Sequence, residues 1–362
     1  MVNETVSSVV NSTIADYTEF FSAAAEPQIV LSAKPSLVQG IPDGILALIA
    51  PVVAYWTFSM FFHTLDTFNL AETYRIHPSE EVKARNLASR FDVLCEVILQ
   101  HIIQSVVGYG FYRFDGISQT GYESNQIWNI KKYLIVNLHL NQYLSLEIID
   151  TLVNYAYNYG ISAFKIAIGF VIIDTWQYWL HRLMHLNKTL YKKYHSVHHE
   201  LYVPYAYGAL FNAPLEGFLL DTLGTGIAAI LTGLSQREQI ILYTFATMKT
   251  VDDHCGYDLP FDPFQMIFPN NSVYHDIHHQ TWGLKSNFAQ PFFVFWDNVC
   301  STKFAPMDSE LKGVKRINIH QYKKFLQNRE NERVEKLKKF KESMDVSNEE
   351  DKKIDETKKK DM

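Results

Sequence analysis

Eight of the 14 histidines fall in three clusters between residues 181 and 279: His181 and His185; His195, His198 and His199; and His275, His278 and His279. A ninth, His254, sits in the run Asp252-Asp253-His254-Cys255-Gly256-Tyr257. With 14 histidines in 362 residues, one HxxHH triplet is already rare, and two are not a chance arrangement. Residues three or four apart share a side of a helix, about 5–6 Å between Cβ atoms, so each cluster is expected to aim its imidazoles together as a preformed part of a metal site. Eight or nine imidazoles are too many for one ion and suit two.

The donor type narrows the metal. Neutral imidazole suits Fe, Zn, Cu and Ni, whereas hard Mg or Ca sites use carboxylates, and the clusters contain no thiolate. A zinc hydrolase of the HExxH kind is disfavoured because that motif is absent. An iron pair that binds and splits O2 fits better. Asp174 precedes His181 by seven residues, near two helical turns, and is the candidate to hold a ligand's second ring nitrogen; Glu216 and Asp221 rank equal or lower for the same role. His63, His77, His101, His139 and His320 are read as ordinary polar or packed residues.

These clusters need rigid elements, and the hydropathy pattern supplies them. Gly44 to Leu65 holds no Asp, Glu, Lys or Arg and is long enough to cross a hydrocarbon core of about 30 Å. Val93 to Phe111 returns, and Ile161 to Leu180 crosses again, interrupted only by Lys165 and Asp174. Leu134 to Ala156, with His139, Glu147 and Asp150, suits an interfacial helix. Ala213 to Leu234 and Ile240 to Met248 are expected to form a helical hairpin that enters and leaves the membrane. The first 30 residues contain no Lys or Arg, so they lack the basic region of a cleaved signal peptide. Arg75, Lys83, Arg85 and Arg90 after the first span outweigh Lys34 before it, which places that loop in the cytosol. Counting crossings then puts every histidine cluster on the cytosolic face and the N-terminus, with the sequons at Asn3 and Asn11, in the lumen.

Composition agrees with a membrane body and a soluble tail. The last 54 residues hold 16 of the 33 Lys+Arg and 12 of the 39 Asp+Glu; this tail is expected to be a solvated helix that ends in disorder. Its terminal Lys359-Lys360-Asp361-Met362 resembles a dilysine retrieval signal of the endoplasmic reticulum. Three cysteines, Cys95, Cys255 and Cys300, give no disulfide framework. No basic stripe or zinc-finger spacing points to nucleic acid. The expected class is an all-α, multi-span integral membrane protein with a cytosolic histidine-rich di-metal catalytic region. It divides into a luminal segment (1–43), a membrane and linker region (44–163), a catalytic region (164–301) and a charged cytosolic tail (302–362).

The motifs His181-Arg182-Leu183-Met184-His185, His195-Ser196-Val197-His198-His199 and His275-Asp276-Ile277-His278-His279 resemble the three histidine boxes of the fatty acid hydroxylase/sterol desaturase family. The runs Asp174 to Arg182 and Tyr191 to His199, and above all Leu201-Tyr202-Val203-Pro204-Tyr205-Ala206-Tyr207-Gly208-Ala209-Leu210-Phe211-Asn212, resemble the fungal sphinganine C4-hydroxylase branch. This resemblance implies that sphinganine or dihydroceramide is converted to its 4-hydroxy, phytosphingosine form by two iron ions and O2. NADPH electrons would arrive through a reductase and cytochrome b5 in the endoplasmic reticulum membrane. It also implies that the eight box histidines and His254 are the metal ligands. Sterol desaturation or methyl oxidation within the same family is the first alternative; a zinc-dependent membrane hydrolase or a metal transporter is the second.

Overall fold

The computed structural model describes residues 18–306 and 316–360, with side chains described as far as residue 344. Asn3 and Asn11 lie outside these residues. The architecture is helical: α1 (Asp43–Thr67), α2 (Arg90–Phe114), α3 (Leu146–Leu186), α4 (residues 188–198), α5 (Pro214–Thr232), α6 (Gln236–Asp253), α7 (Ser272–His279) and α8 (Ile319–Lys360), with shorter helical turns between them. The one departure from all-α among the described residues is a two-stranded antiparallel pair, Ser32–Ala33 with Gln119–Thr120.

Among the described residues four helices, α1, α2, α3 and α5, are long and apolar enough to cross a membrane. Much of their surface stays exposed and apolar, including Val53 and Phe61 on α1, Val106 on α2, Phe164 and Val171 on α3, and Ile230 and Leu231 on α5. Hydrocarbon is the solvent that suits such a surface, because the backbone groups are satisfied inside each helix. Ser89 caps α2 by accepting from the Asp92 N–H at 3.1 Å. Ser235 and Glu238 form a reciprocal capping box at the start of α6.

Two expectations change. Residues 134–156 and 161–180 are not separate helices, because residues 146–186 form one, joined through a π turn at Ala156–Gly160. The 41-residue helix is longer than a bilayer core requires, and at 1.5 Å per residue His181 lies about 30 Å beyond Ile161, one hydrocarbon thickness away. The hairpin at residues 213–248 also differs in detail. Gly233, at φ +60°, reverses the chain between α5 and α6, but the helices splay: α5 packs on α3 and α6 on α1. Asp43 and Arg237, in the first turns of α1 and α6, pair at 2.7 Å and align the two helices in parallel. A gap therefore opens between α5 and α6. The tail also differs from expectation, since α8 continues through residues that composition assigned to disorder.

The C-terminal ends of α1, α3 and α6 and the N-terminal ends of α2 and α5 converge on one face. There Tyr55 of α1 donates to the Tyr207 carbonyl at 2.8 Å, and Arg75 binds Asp66 at 2.7 Å. The run 201–213 is buried almost throughout and packs with Tyr55, Phe62, Val93, Val97 and Val251 as a core under this face.

Candidate metal centre

All nine candidate histidines meet on that face, in two groups. His181, His185, His195, His199 and His278 form one, and His198, His254, His275 and His279 the other; within each group the candidate ligand atoms lie within 4.8 Å of one another. Two metal–nitrogen bonds of about 2.0–2.1 Å in opposite directions span a little over 4 Å, so an ion fits at the middle of each group.

The boxes are not the units of ligation. His195 and His199, four apart, serve the first group, while His198 crosses to the second. His275 and His279 serve the second, and His278 crosses to the first. The expectation that each triplet points its three imidazoles inward together is corrected: the member at i+3 turns toward the neighbouring group.

Each segment has a local reason for its shape. His181 and His185 end α3, one turn apart on its buried side. α4 starts at Asn187, whose Oδ1 accepts from the N–H groups of Thr189 and Leu190 at 2.9 and 3.1 Å. α7 starts at Asn271, whose Oδ1 accepts from the Tyr274 N–H at 2.8 Å. His254 is the residue immediately after α6.

The ring protons are placed by the surrounding backbone. The Nδ1–H groups of His181, His198, His254, His278 and His279 donate to the carbonyls of Phe288 (2.8 Å), Phe211 (3.0 Å), Thr250 (2.8 Å), Ser286 (2.7 Å) and Leu201 (2.9 Å). His195 Nδ1 donates to Glu216 Oε1. With the proton on Nδ1, Nε2 presents a bare lone pair. Yet His181 Nε2 lies 3.0 Å from His195 Nε2, and His254 Nε2 lies 3.4 Å from His198 Nε2. Lone pairs face each other with no proton between them, an arrangement a cation converts from repulsion to coordination.

Burial reinforces neutrality. It lowers the pKa of His198 to about 4 and of His254 to about 3. His195, His199, His275, His278 and His279 are driven well below the ordinary imidazole value, first by burial and then by neighbouring imidazoles. Neutral imidazole is the ligating form. The groups therefore fit two ions of the kind imidazole prefers.

Asp174 does not hold a ligand. Its Oδ1 accepts the N–H groups of Phe292 and Phe293, both at 2.9 Å, and so pins the loop whose Phe288 carbonyl orients His181. The carboxylate behind a ligand is Glu216, fully buried at the start of α5. The carbonyls of Leu201, Phe211, Ser286 and Phe288 had no sequence signal, since every residue has one. Asp297 was also missed: it accepts from the Phe288 and Ala289 N–H groups at 3.1 and 2.8 Å and from the Tyr274 hydroxyl at 2.8 Å.

The remaining histidines stay out of both groups. His77 instead bridges Asp276 at 3.0 Å and Glu81 at 2.8 Å. Burial opposes its protonation, but the two carboxylates prevail and raise its pKa to about 9. Tyr322 of α8 donates to Asp276 at 2.6 Å, tying the tail to the ligand helix α7.

The gap between α5 and α6 is a cavity of about 470 Å³, bounded also by α1 and α2. It meets a small pocket walled by His195, His198, His254 and His275, with Gln177, Asp221, Thr250 and Pro291 common to both. Four helices of membrane-spanning length and two all-histidine groups at one edge, beside an apolar cavity, define a multi-pass membrane protein with a candidate di-metal site.

Comparison with known proteins agrees. Residues 166–302 match the fatty acid hydroxylase family. The chain is 61% identical over 330 residues to sphingolipid C4-hydroxylase SUR2 of Saccharomyces cerevisiae, covering 91% of this chain and 92% of that one. It is 40% identical to sphinganine C4-monooxygenase 1 of Arabidopsis thaliana, covering 72% and 88% of the two chains. It is also 35% identical to very-long-chain aldehyde decarbonylase GL1-9 of Oryza sativa subsp. japonica, covering 72% and 89%. The chain belongs to the fatty acid hydroxylase family. No solved structure matches it.

Proposed function

We propose that this protein is a sphingolipid C4-hydroxylase, a di-iron monooxygenase that converts sphinganine or dihydroceramide to the 4-hydroxy form. The observation that carries the choice of substrate is the 61% identity to a protein of that activity over nearly the whole of both chains, boxes included. The two histidine groups would hold the iron ions. These would supply activation of O2, removal of hydrogen from C4 and return of one oxygen atom as hydroxyl.

The protein's own residues do the positioning. Backbone carbonyls and Glu216 hold the Nδ1 protons so that Nε2 faces the ions. The cavity runs along α2 and its C-cap from His101 to Asp115 and beside α6 from Gln236 to Thr250; at 1.5 Å per residue each stretch is about 21 Å long. An extended alkyl chain of about 16 carbons, advancing about 1.3 Å per C–C bond, fills that length. The volume falls in the usual range for a small-molecule site, its walls are mainly apolar, and one end shares Gln177, Asp221, Thr250 and Pro291 with the metal-facing pocket.

The setting follows from charge and the family resemblance. The histidine face is cytosolic and the N-terminus luminal, as the excess of Lys and Arg after α1 supports. The membrane is that of the endoplasmic reticulum, as the family resemblance implies. NADPH electrons arrive through a reductase and cytochrome b5.

The test is lipid analysis of a host lacking this activity, expressing wild type or His198→Ala and fed labelled sphinganine under O2. Labelled phytosphingosine in the wild type alone is expected. Unchanged sphinganine and dihydroceramide, with the protein inserted and an electron donor present, would overturn the assignment and direct attention to sterols.

A further inference from the structure

The four residues shared by the cavity and the metal-facing pocket include one carboxylate, Asp221. Its Oδ1 accepts from Gln177 Nε2 at 3.2 Å, and no cationic side chain among the described residues pairs with it. Nearby polar groups also lack partners within the protein. Both ring nitrogens of His101, which is 8% exposed, are unpaired, and so is Thr222 Oγ1; both residues line the cavity. The turn at Phe218–Thr222 packs against α2, which carries His101.

A carboxylate in an apolar wall without a counter-charge is costly, as are buried polar atoms without partners. Here they collect where an alkyl cavity ends and the metal-facing pocket begins. The complement is a ligand whose chain fills the cavity and whose head brings an N–H donor flanked by hydroxyls. A carboxylate head is repelled, and a sterol offers no nitrogen.

We propose that Asp221, held by Gln177, receives the C2 nitrogen of the long-chain base, with His101 and Thr222 taking its hydroxyls. This rests on the long-chain-base assignment above. C4 is two bonds from C2 along the chain, so the nitrogen contact holds C4 within about 4 Å of a fixed point. Asp221 thereby becomes the specificity-determining residue: it selects an amino lipid and sets which carbon lies against the pocket. The nitrogen has two sources, the ammonium of the free base and the amide N–H of its N-acyl form.

The test is binding to the full-length, iron-loaded protein in nanodiscs, read by crosslinking of a sphinganine with a photoactivatable group in its chain. The competitors are sphinganine, N-octanoyl-sphinganine, octadecane-1,3-diol (which lacks only the nitrogen) and stearate. In the wild type, sphinganine is expected to compete at least tenfold better than the diol, with stearate weakest. Asp221→Asn is expected to erase the advantage at unchanged iron content, and Asp221→Glu to restore part of it. If N-octanoyl-sphinganine shares both the advantage and its loss, the N–H common to both lipids is recognised; if only the free base does, the ammonium is. A diol equal to sphinganine in the wild type, or an Asp221→Asn protein that keeps the full advantage, overturns the proposal; the first needs no variant to fold. Binding through Asp221 without 4-hydroxylated product on turnover would refute the activity and leave the contact standing. Product formation with no role for Asp221 would do the reverse.

Discussion

Replacing Asp174 by alanine separates a structural role from a metal-holding one. Asp174 is 2% exposed, and its Oδ1 takes two backbone N–H groups, Phe292 and Phe293. Alanine leaves both donors buried and unpaired, at about 1–3 kcal/mol each, so the loss is about 2–6 kcal/mol. At roughly 2 °C per kcal/mol for a chain of this size, the midpoint of thermal unfolding falls by about 4–12 °C. Asparagine keeps an acceptor oxygen in place for the two N–H groups, so Asp174→Asn should recover much of the loss. The assay is tryptophan fluorescence during heating in detergent, beside iron content at low temperature. Iron content of the Asp174→Ala protein should stay near the wild-type value until the protein begins to unfold. Early loss of iron at unchanged thermal stability would refute the reasoning and restore Asp174 to the ligands' support.

Glu216→Gln should weaken the iron affinity of the five-histidine group about 10–100-fold, and the four-histidine group much less, as read by chelator competition. A uniform effect on both ions would contradict the separate grouping. His77 has its pKa raised from 6.5 to about 9 in the folded protein, so the stability from its ion pairs is fully present below pH 6.5 and lost as pH rises through about 9. Thermal midpoints of wild type and His77→Gln should therefore differ at pH 6 and converge above pH 9; a gap independent of pH would show that His77 is not charged in the fold. Gly283→Ala would place a Cβ 1.7 Å from the Ile277 carbonyl oxygen. That requires a backbone shift at the end of α7, with an expected loss of about 1–3 kcal/mol and of iron from both groups, measured by unfolding and metal analysis.

The clustering of the nine histidines was legible because residue type and spacing mark it. The sharing of each box between two groups was not. Spacing says that His195, His198 and His199 share a helix side, but a side about 100° wide can serve two ions, and only the packing of α3, α4, α6 and α7 decides which. The choice between Asp174 and Glu216 failed for a related reason. Both are acids in apolar helices, and seven residues from His181 was the only distance the chain offered, whereas Glu216 reaches His195 across a fold. The spans were visible by hydropathy except where α3 continues through residues 156–160, because a π turn carries the helix on through Gly160, a residue type that otherwise reads as a helix end. The cavity had no local signature, since it arises from the splay of α5 and α6 after Gly233.

The interleaved boxes make the two histidine groups mechanically inseparable. α7 is a single stretch of eight residues with His278 in one histidine group and His275 and His279 in the other, and residues 195–199 repeat the plan from the opposite wall. Rotating either segment about its axis brings one imidazole nearer its ion only by swinging the others away. The spacing between any two ions held there would be set by the width of a helical turn. A substitution that displaces either segment will be felt at both metals, and occupancy of one should stiffen the walls of the other.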